Sequence, residues 1–348
     1  MLKTALRTVL RRVLIAGLTL AAITTGAPEA LAQRRVLVKM ASPVPEGSVW
    51  HRILKQMEQE WSEASQGRVK LRIYPGQTAG DDPVVVTKMR LGTLHAALLA
   101  GVGSVVPEVY ALQVPMMYRS YDEVDYVLDK MKPRLNAAFE KEGFVVLNWT
   151  DAGWVHFFTK QSVATPEELK KLKLFAWAGD DDVIETYKAA GFNPIPLPST
   201  EVATALQTGL VTAMPAPPQA AVIMQWYKHA SHMTEVNWAV LIGATVISKK
   251  TWDSIPADLQ PALRQAAEKA GAALRSDTRS NGPRDVDAMV KRGLSVVTLN
   301  DAQQAIWHQT VEDAYPRIRG SVVPADAFDE ARRYLEEYRR QHTGAGGR

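Results

Sequence analysis

Asp151-Ala152-Gly153-Trp154-Val155-His156-Phe157-Phe158-Thr159 opens the stretch on which the fold turns, and Met214-Pro215-Ala216-Pro217-Pro218 closes it. Between them lie Thr165-Pro166-Glu167-Glu168-Leu169 and Leu174-Phe175-Ala176-Trp177. Apolar strands alternate here with short helices. At each strand end, where an α/β domain usually holds its ligand, the residues are aromatic, Met or Pro rather than charged. The stretch reads as one wall of a small-molecule pocket with an apolar lining, and Trp154, Phe175, Trp177 and Met214 are its candidate side chains. A competing reading makes them core side chains, since aromatic side chains in strands are usually buried. Trp50 and Trp238 are weaker candidates for the pocket.

Upstream, Arg35-Val36-Leu37-Val38-Lys39-Met40 alternates as a first strand should. Ser48 suits a helix N-cap, and Trp50, Leu54, Met57 and Trp61 follow at helical spacing. Residues 69–74 and 95–100 read as further strands. Gly80-Asp81-Asp82-Pro83 starts a helix with its acids near the positive end. Residues 121–130 and 133–142 read as two helices, and 144–149 as a strand. This rhythm predicts a mostly parallel sheet, and the central stretch repeats it as if a second were being built. Downstream, 240–248 is an apolar strand and 258–280 a long Ala-rich helix, which Asn281-Gly282-Pro283 should break or kink. Residues 294–299 return to a sheet, helices over 301–315 and 325–341 finish the fold, and the tail should fray.

A chain of 348 residues, 46% apolar and 22% charged, has material for about two domains with sizeable cores. Its first 32 residues stand apart. Lys3, Arg7, Arg11 and Arg12 precede an apolar run over 13–23, and Ala30-Leu31-Ala32 offers a small-residue cleavage site. That is the pattern of a secretory signal peptide, and the run is short for a bilayer span. Its removal takes four bases from 41 and one acid from 37, leaving 37 against 36. A near-neutral mature chain implies no nucleic-acid partner. The absence of cysteine excludes disulfides, thiolate metal sites, cysteine nucleophiles and a lipoprotein anchor.

Several segments, taken in order, resemble one family. They are Gly67-Arg68-Val69 with Tyr74-Pro75-Gly76 and Gly80-Asp81-Asp82, then Val114-Pro115-Met116-Met117-Tyr118-Arg119-Ser120-Tyr121, then Thr165-Pro166-Glu167-Glu168-Leu169. Glu201-Val202-Ala203-Thr204-Ala205-Leu206-Gln207-Thr208-Gly209 and Lys249-Lys250-Thr251-Trp252-Asp253-Ser254-Ile255-Pro256 follow. Together they resemble the DctP-type periplasmic substrate-binding proteins of tripartite ATP-independent periplasmic (TRAP) transporters, over about residues 34–340. The resemblance implies a two-lobed α/β fold with two mixed, mostly parallel sheets, hinge strands and a long helix spanning both. It implies lobe I over 34–150 plus 243–282, lobe II over 151–242 plus 283–340, and a frayed 341–348. It also implies a soluble periplasmic protein that hands a small organic acid to a membrane permease, with no cofactor and no catalysis.

The departures from the family pattern are informative. The resemblance places a ligand-binding Arg where this chain has Phe175, and often a second where it has Val155. A polar pair is replaced by Pro215 and Ala216. A buried carboxylate without a compensating cation or several donors costs several kcal/mol. Apolar surface removed from water contributes roughly 25 cal/mol per Å². The pattern is similar to a subset of the family that lacks the Arg and works beside a tetratricopeptide-repeat protein. The expected ligand is therefore hydrophobic, and the alternative is an acid held by Arg90, Lys88, Gln113 or backbone N–H groups.

Other chemistries find little support in the sequence. His229 and His232 with Glu235 make a poor metal site. Gly101-Val102-Gly103-Ser104 is too short to cradle a phosphate. No Gly-x-Ser-x-Gly elbow is present, nor a Ser-x-x-Lys with its partner motifs.

Overall fold

The structure, a computed structural model, describes residues 35–343; the expected export segment lies outside them. In chain order the strands are β1 (Val36–Ala41), β2 (Val69–Tyr74), β3 (Ala96–Leu99), β4 (Phe144–Trp154), β5 (His156–Thr159), β6 (Lys173–Trp177), β7 (Asn193–Leu197), β8 (Ala213–Ala216), β9 (His232–Thr234), β10 (Val240–Ser248) and β11 (Ser295–Val297). The longer helices are α1 (Val49–Ala64), α2 (Asp82–Arg90), α3 (Tyr121–Lys141), α4 (Asp181–Ala189), α5 (Val202–Thr208), α6 (Gln260–Val290), α7 (Asp301–Ser321) and α8 (Ala325–Thr343). The first sheet has the order β2-β1-β3-β10-β4 and the second β11-β9-β5-β8-β6-β7. Both are mixed. β1 is parallel to β2 and β3, whereas β10 is antiparallel to β3 and β4. In the second sheet β6 is parallel to β7 and β8, while β5 is antiparallel to β8 and β9. Two α/β lobes result.

Helix α1 shows how sequence becomes packing. Ser48 accepts the His51 N–H at 3.1 Å and satisfies one of the four free donors of the first turn. Trp50, Leu54, Met57 and Trp61 then fall on one stripe and bury against one face of the first sheet. On the opposite face, α3 packs Val127, Leu128, Met131, Leu135 and Phe139 into a second core.

Three sequence expectations need correction. Residues 121–141 form one helix, not two, with Pro133 inside it. The buried face of α3 continues through the proline, and that packing outweighs the lost backbone bond. Likewise Asn281-Gly282-Pro283 does not end α6, which runs unbroken over 31 residues. Leu263, Ala267, Ala270 and Leu274 anchor it in the first lobe's core, and Met289 with Val286 in the second's. Finally, residues 325–340 do not stay with the second lobe. Ala327, Phe328, Ala331 and Leu335 form a helical stripe that buries in the first lobe's core beside α3.

The two lobes are joined narrowly. β4 ends at Trp154 and β5 begins at His156, so Val155 alone separates strands of the two sheets. Its N–H donates to Ala239 O at 2.8 Å, and its C=O accepts from Trp238 N at 3.0 Å. The second crossing segment thus lies against the first. Gly153, at φ +93°, sits where a Cβ would meet Thr278 Cγ2 at 3.1 Å, so helix α6 presses on the crossing.

Candidate functional site

At the ends of the strands the lobes touch. Asp81 occupies the N-cap position of α2 but makes no capping bond. Its carboxylate crosses to the second lobe and accepts the Ser199 N–H at 2.8 Å and the Ser199 hydroxyl. Ser199 stands just after β7. Tyr110 donates to the Asp180 carboxylate at 2.8 Å, a second bond between the lobes. Gly179, at φ +92°, lies where a Cβ would be 3.3 Å from Pro83. Burial pushes the Asp180 carboxyl up, against the lowering effect of the Tyr110 bond. Burial, and then the Asp180 charge, pushes the Tyr110 phenol up.

Asp82 turns the other way. One of its oxygens accepts Ala100 N at 2.9 Å and Gly101 N at 2.6 Å, tying the first turn of α2 to the end of β3. Burial raises this carboxyl to about 6 despite those two bonds. The cavity left beside Ser42, Gly80, Asp81 and Leu98 is about 10 Å³, at the lower limit for one water molecule. Its lining comes from the first lobe alone.

The predicted pocket residues divide between core and surface. Phe175 is fully buried beside Met214 and Ala216 in one core of the second lobe. Trp177, at the end of β6, is 37% exposed and meets the Phe175 ring edge-on at 5.0 Å. Pro215 is half-buried on β8, opposite Phe157 of β5. Val155 and Trp238 pack into the other core, where Trp238 meets Phe157 at 5.1 Å and Trp307 at 6.0 Å. Trp50 is not brought to these residues. It lies in the first lobe's core with Leu54 and Met57, because its helical stripe faces the first sheet.

Trp154 lines a different space. A groove of about 710 Å³ runs beside the crossing, between Met116, Arg119 and Tyr121, the strand residues Trp154 and His156, the middle of α6, and His308 of α7. Its volume suits a small ligand, yet it lies away from the strand-end junction. Val155, between two groove residues, packs instead into a core. Arg279 is on the groove wall, but its guanidinium is committed. It bridges Asp125 through two bonds of 2.7 Å and Asp151 at 2.8 and 3.1 Å, and stacks on Tyr121 at 4.3 Å. Burial pushes the Asp151 carboxyl up, and Arg279 opposes that. Burial holds the His156 imidazole down at about 4, so the ring is neutral near pH 7.

The groups proposed from sequence to replace the missing arginines are occupied elsewhere. Arg90 pairs with Glu142 at 2.9 Å on the surface. Lys88 Nζ donates to Ala79 O at 2.7 Å, and Gln113 Oε1 accepts from Ile242 N at 3.2 Å. The sequence reading missed the Asp81–Ser199 and Tyr110–Asp180 pairs. Asp81 was legible only as a helix-start acid, and the partners of Asp81 and Asp180 are 118 and 70 residues distant.

The description of bacterial extracellular solute-binding proteins, family 7 (DctP), matches residues 40–320. The 2,3-diketo-L-gulonate-binding periplasmic protein YiaO of Escherichia coli (strain K12) is 27% identical over 252 residues, which is 71% of this chain and 76% of that protein. A TRAP periplasmic solute binding protein of Ralstonia eutropha H16, solved with bound (S)-2-acetolactate, superposes with a TM-score of 0.79 at 21% identity. The match covers 86% of this chain and 99% of that one. One from Sulfurospirillum deleyianum with bound succinate gives 0.78 at 23%, covering 87% and 98%. At these identities the structures establish the shared fold. Among the described residues no helix is long and apolar enough to cross a membrane.

Proposed function

Because the chain belongs to the bacterial extracellular solute-binding proteins of family 7, we propose that it captures a small organic acid between its two lobes. In this reading it works in the periplasm, after loss of residues 1–32, and delivers the solute to a TRAP-type membrane permease. What carries the choice of an acid is that YiaO is named for a sugar acid and that both related structures hold carboxylates. This replaces the hydrophobic ligand expected from the sequence. The strand-end junction is the assigned site, since α/β proteins bind at strand carboxyl ends. Ser199 supplies it with an N–H and an O–H that already meet a carboxylate, that of Asp81. Trp177 would face the body of the solute, with the buried Phe175, Met214 and Ala216 behind it.

The apolar-ligand reading, with a tetratricopeptide-repeat partner, keeps one observation in its favour. No guanidinium stands at Phe175 or Val155. Isothermal titration against aldonates, hexuronates, short dicarboxylates and 2-hydroxy or 2-oxo acids, beside their neutral alcohols and amides, decides between the two. Saturable binding of one acid with no binding of its amide is expected. Saturation by neutral apolar compounds alone defeats the acid reading.

A further inference from the structure

Three buried oxygens have no protein partner on the face of the first sheet that α6 covers: Asn148 Oδ1, Thr150 Oγ1 and Thr245 Oγ1. Asn148 and Thr245 oppose each other across β4 and β10, and Thr150 stands two residues along β4, opposite Gly243. Strand alternation puts all of them on one side. Helix α6 fixes that side. Asn148 Nδ2 donates to Ala267 O at 2.7 Å, and a Cβ on Gly271 would lie 2.6 Å from the Asn148 side chain. The Ala267 bond sets the amide orientation, so Oδ1 can only accept. Each threonine hydroxyl can donate one bond and accept others. None of the three forms a hydrogen bond with another, so each pair is too far apart or misaligned for direct contact. Gly243 and Gly271 bring no side chain that could reach them.

Buried polar atoms are almost always satisfied, and an internal water typically makes about three hydrogen bonds to such groups. One acceptor and two hydroxyls form such a set. We propose that Asn148, Thr150 and Thr245 bind an internal structural water between β4, β10 and α6. The position gives it a role. β4 and β10 lead into the narrow crossing at Val155, and α6 is the third connection between the lobes. A water can re-aim its bonds when these elements shift, whereas a direct side-chain bond would break. Among the described residues, the other orphaned atoms are on Trp50, His51, His156 and Asp285.

Thr245→Val removes one hydroxyl at nearly constant volume and tests the assignment. With the water bound, it leaves that water and its other partners short of a bond, and Tm should fall by about 2–4 °C. Thr245→Ser keeps the hydroxyl and should recover most of the loss. A high-resolution crystal structure should show a solvent peak about 2.7–3.2 Å from at least two of the three oxygens. If the site is dry, the valine relieves an unsatisfied hydroxyl, and an unchanged or raised Tm overturns the proposal. Tm should be the same in sodium chloride and choline chloride. A sodium-specific rise would make the occupant a cation and overturn it equally.

Discussion

Removing the Asp81 carboxylate should open the free protein and tighten its grip on an acid. Asp81 joins the lobes by two hydrogen bonds to Ser199. The Ser199 groups assigned to the solute are therefore already occupied, and binding must begin from an opened state. A hydrogen bond to a charged group contributes about 1.5–3 kcal/mol. Asp81 is half-buried, so the pair together merits only about 2 kcal/mol. At 1.4 kcal/mol per factor of ten, that is about 30-fold in the open-to-closed ratio. Apparent affinity scales with the fraction of competent protein. Asp81→Ala should therefore lower the Kd for the acid by up to about 30-fold, helped by the loss of a like charge near the solute. The chain has no cysteine, so spin labels at Leu91→Cys and Leu210→Cys, both exposed and one on each lobe, report the interlobe distance cleanly. A longer mean distance in the free variant is expected, with the short distance restored by ligand. Weaker acid binding, with the free distance unchanged, would refute the reasoning and make Asp81 part of the solute-bound state.

Four further outcomes follow from the same geometry. Phe175→Ala should cost about 3–5 kcal/mol in urea unfolding, as a fully buried aromatic does; a loss below about 1 kcal/mol with binding abolished would make it a pocket wall instead. Asp82 has its folded pKa raised from 3.8 to about 6, so its contribution to stability falls as pH rises through that window. Asp82→Asn keeps an acceptor for Ala100 and Gly101, and should flatten that pH dependence and stabilise at pH 7 by at most about 3 kcal/mol, as read by chemical denaturation at pH 4 to 8. Arg279→Met leaves Asp151 buried without its cation and should cost about 3–5 kcal/mol at pH 7; the loss should shrink in acid, where a neutral Asp151 needs no partner. Gly271→Ala drives a Cβ to 2.6 Å from Asn148 and should lower stability by about 1–3 kcal/mol, with a shifted α6 visible in a crystal structure.

The elements could be read from sequence where one local rule dominated. Ser48 caps α1, and the stripe from Trp50 to Trp61 packs as its spacing requires. Pro133 and Pro283 misled because local propensity is weaker than a helix face buried at both ends. The site was harder to read, for a different reason. A local window assigns a polar side chain to the nearest backbone, so Asp81 was read as an acid at the start of a helix, yet its partner is brought up by the second lobe. Composition also cannot separate a pocket wall from a core: Phe175 is buried by its own lobe, while Trp177 two residues on is partly open.

The acid and the apolar seat can be reconciled by where the charge would sit. Nothing along Phe175, Met214 and Ala216 can offset a carboxylate, so burial there would cost several kcal/mol. The Ser199 N–H and hydroxyl lie at the junction between the lobes and carry a half-buried carboxylate already. A solute that leaves its anionic end there and turns an apolar body toward Trp177, the partly open residue at the end of β6, meets both constraints. Relative affinities for acids of increasing chain length should then rise with each methylene, by up to about 0.8 kcal/mol. In a site that reads only the charge, chain length would have no effect.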